Sequence, residues 1–379
     1  MKIVISIDSL KGSLSSIEAA NAIKKGILNV DNKADITIMP LADGGEGTVD
    51  ALVEGMNGEK QIISVTGPLN EKVNAEYGIL KDTNTAIIEM AQASGLTLVE
   101  PKLRNPLNTT TYGVGEIIKE AINKGCRNFI VGIGGSATND CGVGMLQALG
   151  YEFYDGNNNL VGLGGKVLNE IKSIKIDNRL KELDECTFKI ACDVNNPLYG
   201  KNGAAHIYGP QKGATEEIIE ELDKGLISFS QVVKKDLGKD IAHVEGVGAA
   251  GGLGFAFLGF LNSKLESGIK IILDEIKLEE VIKGADFVIT GEGRLDNQTA
   301  MGKAPIGVAK LAKANNAKVI AIAGCTTDDA VKCNEEGIDA YFSIVNSSMT
   351  IEEAMEKETA TKNMIATTTQ IFNLIKAVN

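Results

Sequence analysis

The chain has 379 residues, 44 % apolar and 23 % charged, a balance that excludes a disordered chain and allows two or three domains with real cores. Its 50 acidic against 38 basic residues leave a formal charge of −12, which argues against a nucleic-acid partner but leaves room for a locally positive site that takes a small anion. Glycine is abundant (43) and proline scarce (7), the profile of an α/β chain with many tight turns and backbone-lined sites.

Taken in chain order, KIVISI reads as a buried strand, and Ser15 with Glu18 has capping-box spacing for a helix over 16–28. A second strand over 36–39 closes a βαβ unit, which implies a parallel sheet. After Asn57-Gly58 the runs 61–65, 73–77 and 85–89 alternate between turn residues and read as antiparallel strands. A helix over 111–123, a strand over 128–132, a Gly-rich turn and a helix over 142–149 follow. Residues 187–191 read as a strand and 216–235 as an amphipathic helix. From Ala285 clear alternation returns: ADFVIT, a helix over 302–314, strands over 318–324 and 340–344, and a helical tail from Thr350. The expected architecture is α/β with two domains. A discontinuous Rossmann-like parallel-sheet domain would be built from 1–60 plus 285–379, with an inserted mixed α/β domain over 61–284.

Several classes are excluded or set aside by what is missing. The six cysteines show no CxxC spacing and are expected to be reduced core thiols. Two histidines, His206 and His243, make an imidazole-rich zinc site untenable, and His206 reads as structural. The N-terminal apolar run is too short for a signal peptide, and no run reaches the ~18 residues of a membrane span. The expectation is a cytoplasmic protein with no membrane partner, monomeric or homodimeric. There is no G-x-x-x-x-G-K-[ST] loop and no protein-kinase motif set.

Five polar, glycine-rich patches flank the strands, where open α/β sheets bind ligands. In IDSLKG, Asp8 follows a strand and Lys11 lies in the turn toward a helix, placed to neutralise a phosphate or carboxylate. In ADGGEGT, Asp43, Gly44 and Gly45 begin a nest of backbone N–H groups. GIGGSATND satisfies G-x-G-x-x-[GA] after a strand; its Gly134, Gly135, Ser136 and Thr138 suit either a dinucleotide or a simple phosphate-holding turn. ACDVNNPL places Asp193 just past a strand with Asn196 beyond it, and Lys212 lies in the polar turn downstream. A carboxylate so placed suits a base beside an anion. GVGAAGGLG reads better as close packing of a small-residue helix. TGEGRLDNQTAMGK crowds Glu292, Arg294, Asp296 and Lys303 between a strand and a helix; two carboxylates can hold Mg²⁺ through its waters while the cations meet phosphate oxygens.

SIDSLKGSLS, PLADGGEGT, RNPLNTTTYGVGE, GIGGSATNDCG, ACDVNNPLYG, GAAHIYGPQKGA, GAAGGLG and TGEGRLDNQTAMGKAP fall in order along the chain. Together they resemble the glycerate kinase family of the bacterial glycerate 2-kinase type. Leu10 stands where that family usually has an aromatic residue. The resemblance implies ATP-dependent phosphorylation of glycerate with Mg²⁺, two α/β domains, and a site in the cleft between them. Similar enzymes make 2-phosphoglycerate from D-glycerate, and others under the family name make the 3-phosphate.

For such a reaction Asp193 is the expected group to orient or deprotonate the substrate hydroxyl, with Asp8 as the alternative. Asp296 and Glu292 are expected in the Mg²⁺ environment. Lys11, Arg104, Lys212, Arg294 and Lys303 would meet anionic oxygens. Two other readings stay open at this stage. An NAD-dependent hydroxy-acid dehydrogenase rests on the 132–137 string, and a non-catalytic sensor of small hydroxy acids or nucleotides needs only the ligand-binding turns.

Overall fold

The opening run forms strand β1 (Lys2–Ile5) and leads into helix α1 (Ser16–Leu28) in the computed structural model, which describes residues 1–378. The capping box forms: Ser15 Oγ accepts from Glu18 N at 3.2 Å and Glu18 accepts from Ser15 N at 3.1 Å. There follow β2 (Asp35–Ile38), α2 (Thr48–Gly55), β3 (Glu59–Thr66), β4 (Lys72–Leu80), β5 (Thr85–Glu89), α3 (Tyr112–Asn123), β6 (Asn128–Gly132), α4 (Val143–Ala148) and β7 (Thr187–Ala191). The chain continues through α5 (Glu216–Leu237), α6 (Ala249–Phe260), β8 (Ser263–Glu266), β9 (Phe287–Thr290), α7 (Ala304–Ala314), β10 (Lys318–Ala323), β11 (Ala340–Ser343) and α8 (Lys357–Val378). Strand β8, SKLE, has three polar residues in four and is too short to show a period, so its sequence carries no strand signal.

Two compact units result. The first comprises Met1–Asp43, Asp50–Gly58 and the chain from Ile269 onward; the second comprises Gly44–Val49 and Glu59–Gly268. The 126–150 segment lies in the second unit, and residues 269–284 cluster with the first.

The first unit holds a five-stranded sheet in the order β11-β10-β9-β1-β2, parallel throughout. Strand β9 is buried at every position because helices cover both faces of such a sheet. Helix α8 lies against α1, and Phe372, Met364 and Ala360 join Ile3, Ile5 and Ile23 in the core. The strand order reverses direction between β9 and β1: the chain runs from β1 outward to β2 on one side, and from β9 outward to β10 and β11 on the other. That junction is the topological switch point of the sheet.

The second unit holds a mixed sheet in the order β8-β7-β6-β5-β4-β3. Strands β3, β4 and β5 are antiparallel, and β5, β6, β7 and β8 are parallel. In register, Glu89, Gly132, Ala191 and Glu266 form one row at the carboxyl ends of the parallel strands. The core beneath is aromatic. Phe129 stacks on Phe188 at 4.6 Å, and Phe153, Phe229, Phe255 and Phe257 fill the space under α5 and α6. All six cysteines are free thiols. Cys325 departs from the expected core position and is exposed, because it follows the turn after β10 rather than lying within the strand.

Phe129→Ala removes a fully buried ring and its stacking partner's contacts, so it is expected to cost about 3–5 kcal/mol. Urea unfolding followed by circular dichroism reads this as a lowered midpoint; an unchanged midpoint contradicts the packing described.

Candidate functional site

In the first unit, the carboxyl ends of β1, β2 and β9 carry Asp8, Asp43 and Glu292. Asp8 and Glu292 flank the switch point, and Asp8 N donates to Gly291 O at 2.9 Å, which ties the two turns together. Gly291 has no room for a side chain, since a Cβ there would lie 1.8 Å from Ile322 O. The turn is therefore pressed onto β10.

Asp8 is only 9 % exposed, and its Oδ1 accepts from Ser9 N at 2.7 Å. Its pKa rises from an ordinary value of 3.8 to about 7. Burial is the main cause, the charges of Asp43 and Glu292 add to it, and Ser9 N–H and Lys11 oppose it. Glu292 is also raised, again chiefly by burial, against a hydrogen bond from Thr299 Oγ1 to its Oε1 at 2.5 Å and Lys303 Nζ at 4.0 Å from its Oε2. Asp296 is engaged locally. Its Oδ1 caps the short helix Asn297–Ala300 by accepting from Gln298 N at 2.8 Å and Thr299 N at 3.2 Å, and its Oδ2 lies 3.6 Å from Arg294 Nε. Lys11 and Arg294 are exposed and Lys303 is half-buried.

These residues bear on Mg²⁺. Among the described residues no three His, Cys, Asp or Glu side chains converge as a ready-made metal cage. Mg²⁺ rarely needs one, because it keeps several waters and takes one or two carboxylates plus phosphate oxygens. Carboxylates held close together create a demand for positive charge: the charges of Asp43 and Glu292 raise the proton affinity of Asp8, and that of Asp43 adds to the rise at Glu292. The residues fit the ion.

In the second unit the remaining sequence candidates gather at the carboxyl row of β5 to β8. Gly44, at φ 86°, lies over that row: a Cβ on it would meet Ala191 Cβ at 2.6 Å and Gly268 Cα at 2.8 Å, and a Cβ on Gly132 would meet Gly44 O at 2.3 Å. Gly45 O accepts from Thr48 Oγ1 at 2.7 Å. The expected backbone nest is partly spoken for, since Thr48 N donates to Gly45 O at 3.3 Å, and just past it Val49 N donates to Glu89 Oε1 at 2.9 Å. Glu89 was not among the sequence candidates. Its signal was an acid closing a wholly buried strand, TAIIE.

Asp193 is exposed, and its Oδ1 accepts from Gly268 N at 3.0 Å. Asn196 is tied by its Nδ2 to Asn202 O at 2.8 Å and by its Oδ1 to Tyr208 Oη at 2.5 Å. Arg104 spends its guanidinium on the carbonyls of Val99 and Leu96 at 3.3 and 3.4 Å.

The turn after β6 is held at almost every residue. Gly135 O accepts from Leu96 N, Ala137 N donates to Ser94 O, and Ala137 O accepts from Thr109 Oγ1. Only Gly134 and Gly135 at its tip are exposed. Lys212, expected to meet a ligand, is instead 2 % exposed beneath the turn. The GVGAAGGLG string also departs from expectation. It does enter α6, but Ala250, Gly251 and Gly252 all lie at positive φ (53°, 67° and 88°). A Cβ on Gly251 would meet Thr138 O at 2.1 Å. This left-handed turn backs the 134–140 turn, so its glycines serve close approach rather than helix packing.

The sequence profile of the glycerate kinase family matches residues 3–376. The chain belongs to the glycerate kinase family. Its relatives include glycerate 2-kinase of Escherichia coli K12, 51 % identical over 354 residues and 93 % of each chain. Glycerate kinase of Haemophilus influenzae is 47 % identical over 375 residues and 99 % of each chain. A crystal structure described as glycerate kinase 2 from Salmonella typhimurium LT2 superposes with a TM-score of 0.93 at 47 % identity, covering 100 % of this chain and 98 % of the other. Membership of the glycerate kinase family makes the chain an enzyme of the kinase class.

The burial of Asp8 makes a stability prediction with a definite sign. In the folded chain its carboxyl keeps a proton up to about pH 7, whereas the unfolded chain loses it near 3.8. Stability is therefore fully present below pH 4 and is lost as pH rises through 7. Asp8→Asn removes this loss. It is expected to raise the melting temperature of the ligand-free protein at pH 8 and to leave it unchanged at pH 4; equal melting temperatures at pH 8 contradict the assignment.

Proposed function

We propose that this protein is an ATP-dependent glycerate kinase that transfers the γ-phosphoryl group of ATP to the 2-hydroxyl of D-glycerate. The observation that carries the reading is near-full-length identity of 51 % with a protein named glycerate 2-kinase. The Asp8–Asp43–Glu292 group and its cations supply the chemistry such a transfer needs: positioning, charge neutralisation and a base.

In this proposal Asp8 accepts the proton of the substrate hydroxyl as that oxygen bonds to the γ-phosphorus. The bond from the γ-phosphorus to the bridging oxygen breaks, and ADP leaves with the electron pair. A base works best with a pKa near the working pH, and a buried aspartate near 7 meets that condition. Asp193, the other base candidate, is exposed and accepts from Gly268 N, so it is assigned to positioning.

Glu292 and Asp43 would hold Mg²⁺ through its waters, and Asp296 is assigned to capping rather than to the metal. When bound, Mg²⁺ neutralises charge on the phosphate oxygens. Lys11, Arg294 and Lys303 meet the phosphates. A location in the cytoplasm agrees with this reading, and among the described residues no helix is long and apolar enough to cross a membrane.

The test is ADP formation from ATP and Mg²⁺ with and without D-glycerate, followed by ³¹P NMR of the product. Glycerate-dependent ADP with a 2-phosphate signal is expected. A 3-phosphate signal moves the acceptor hydroxyl, and absence of glycerate-dependent ADP overturns the function. Asp8→Asn is expected to lower kcat about 10²–10⁴-fold, while Asp193→Asn lowers it far less. The reverse order would return the base role to Asp193.

A further inference from the structure

Lys212 ends the short turn Pro210–Lys212 of the second unit and is buried under the turn that follows β6. Gly213 beside it lies at φ 88°, where a Cβ would meet Arg104 O at 2.3 Å. The chain is thus pressed against the 104 segment, and the lysine enters from beneath. Its Nζ lies 2.7 Å from Ser136 Oγ and 2.6 Å from Thr138 O.

The direction of these two bonds follows from the atoms. A carbonyl oxygen only accepts, so Nζ donates to Thr138 O. In its ammonium form Nζ has no lone pair, so it also donates to Ser136 Oγ. The serine's own proton is then left over, and among the described residues no hydrogen bond is donated by Ser136 Oγ. Beside it, the buried Thr138 Oγ1 and the Asn139 side-chain amide have no protein partner.

The frame around Ser136 is rigid. Asp140, fully buried, accepts from Thr111 N at 2.8 Å, Thr111 Oγ1 at 2.9 Å, Thr110 Oγ1 at 3.4 Å, Gly142 N at 3.1 Å and Gly144 N at 3.3 Å. It fastens the far end of the turn; burial pushes the Lys212 ammonium down from its ordinary 10.5 to about 7, and the charge of Asp140 opposes that shift, so the ammonium form is the one present below pH 7.

We propose that Ser136 is a ligand-binding donor, and that Lys212 is a positioning residue that fixes its polarity: by donating to Ser136 Oγ, the lysine leaves the serine proton for an anionic oxygen of the reactants. The inference rests on the kinase reading for the identity of those reactants. A carboxylate of glycerate and a phosphate of the nucleotide share the required chemistry. In this proposal Lys212, 2 % exposed, acts through Ser136 rather than by the direct contact expected of it from sequence.

The test is calorimetric binding of D-glycerate and of ADP, measured separately, to the wild type and to Ser136→Ala, Ser136→Thr, Lys212→Met and the Ser136→Ala/Lys212→Met double variant. Ser136→Ala is expected to weaken one of the two ligands about tenfold or more, as loss of a bond to a charged acceptor does, with a lowered melting temperature because the buried Lys212 Nζ loses an acceptor. Ser136→Thr, which keeps the hydroxyl, is expected to restore it. A loss on glycerate assigns the carboxylate, and a loss on ADP assigns the phosphate.

Lys212→Met is expected to weaken the same ligand, and the double variant to bind no more weakly than Ser136→Ala alone. Losses that add would show Lys212 reaching the ligand and overturn its positioning role. Ser136→Ala binding both ligands as the wild type does would overturn the proposal outright. If Lys212→Met fails to fold, the Ser136→Ala and Ser136→Thr pair still decides the serine's role. A wild type that binds both ligands without turnover refutes the kinase reading and leaves the Ser136 result standing.

Discussion

Burial of Asp8 beside two further carboxylates is the constraint on which the rest of the first unit depends. Three acids at adjacent strand ends repel one another, and burial removes the water that would screen them. The fold holds them there by backbone means: a sheet whose order reverses between β9 and β1, the Asp8 N to Gly291 O bond, and a glycine at 291 with no space for a side chain. Such a group costs stability in the ligand-free chain and gains it back when cations or protons arrive. Active sites store unfavourable electrostatics in this way, as a proton affinity matched to the reaction.

The second unit solves a different problem. Its turn after β6 must present a few polar atoms at fixed positions without collapsing onto the sheet. Backbone bonds to 94–96, the Thr109 hydroxyl, the five donors on Asp140 and the Lys212 ammonium together leave only the glycine tip exposed. The left-handed turn at 250–252 closes the frame from behind. A buried lysine and a buried aspartate are expensive as stabilisers. Here they hold one loop in one shape, which is what a binding turn requires.

Much of this was legible in the residues. Strands 85–89, 128–132 and 187–191 and helix 16–28 have the bounds their patterns predict, because apolar runs between turn residues and a capping box are local signals. The polar patches do lie at carboxyl strand ends, as parallel topology demands.

What stayed hidden was long-range. Nothing near Lys212 in sequence shows that it lies beneath Ser136, 76 residues away. Glu89 looked like the end of a strand, and its bond to Val49 N spans 40 residues. Asp296 carried a local signal that was outweighed: with Thr299 three residues on, it has the spacing of a helix cap, and the structure uses it so. The switch point itself depends on which strands pair, which residue patterns alone do not encode.

The most direct test of the central claim is the proton affinity of Asp8 in the ligand-free protein. Carbon-13 NMR titration of the aspartate carboxyls, with Asp8→Asn to assign the resonance, reads it without any turnover. The account predicts a midpoint near pH 7, shifted down when Mg²⁺ and nucleotide are added. A midpoint near 4 in the ligand-free chain would mean that Asp8 is an ordinary solvated carboxylate, and it would contradict both its assignment as base and the electrostatic account of the first unit.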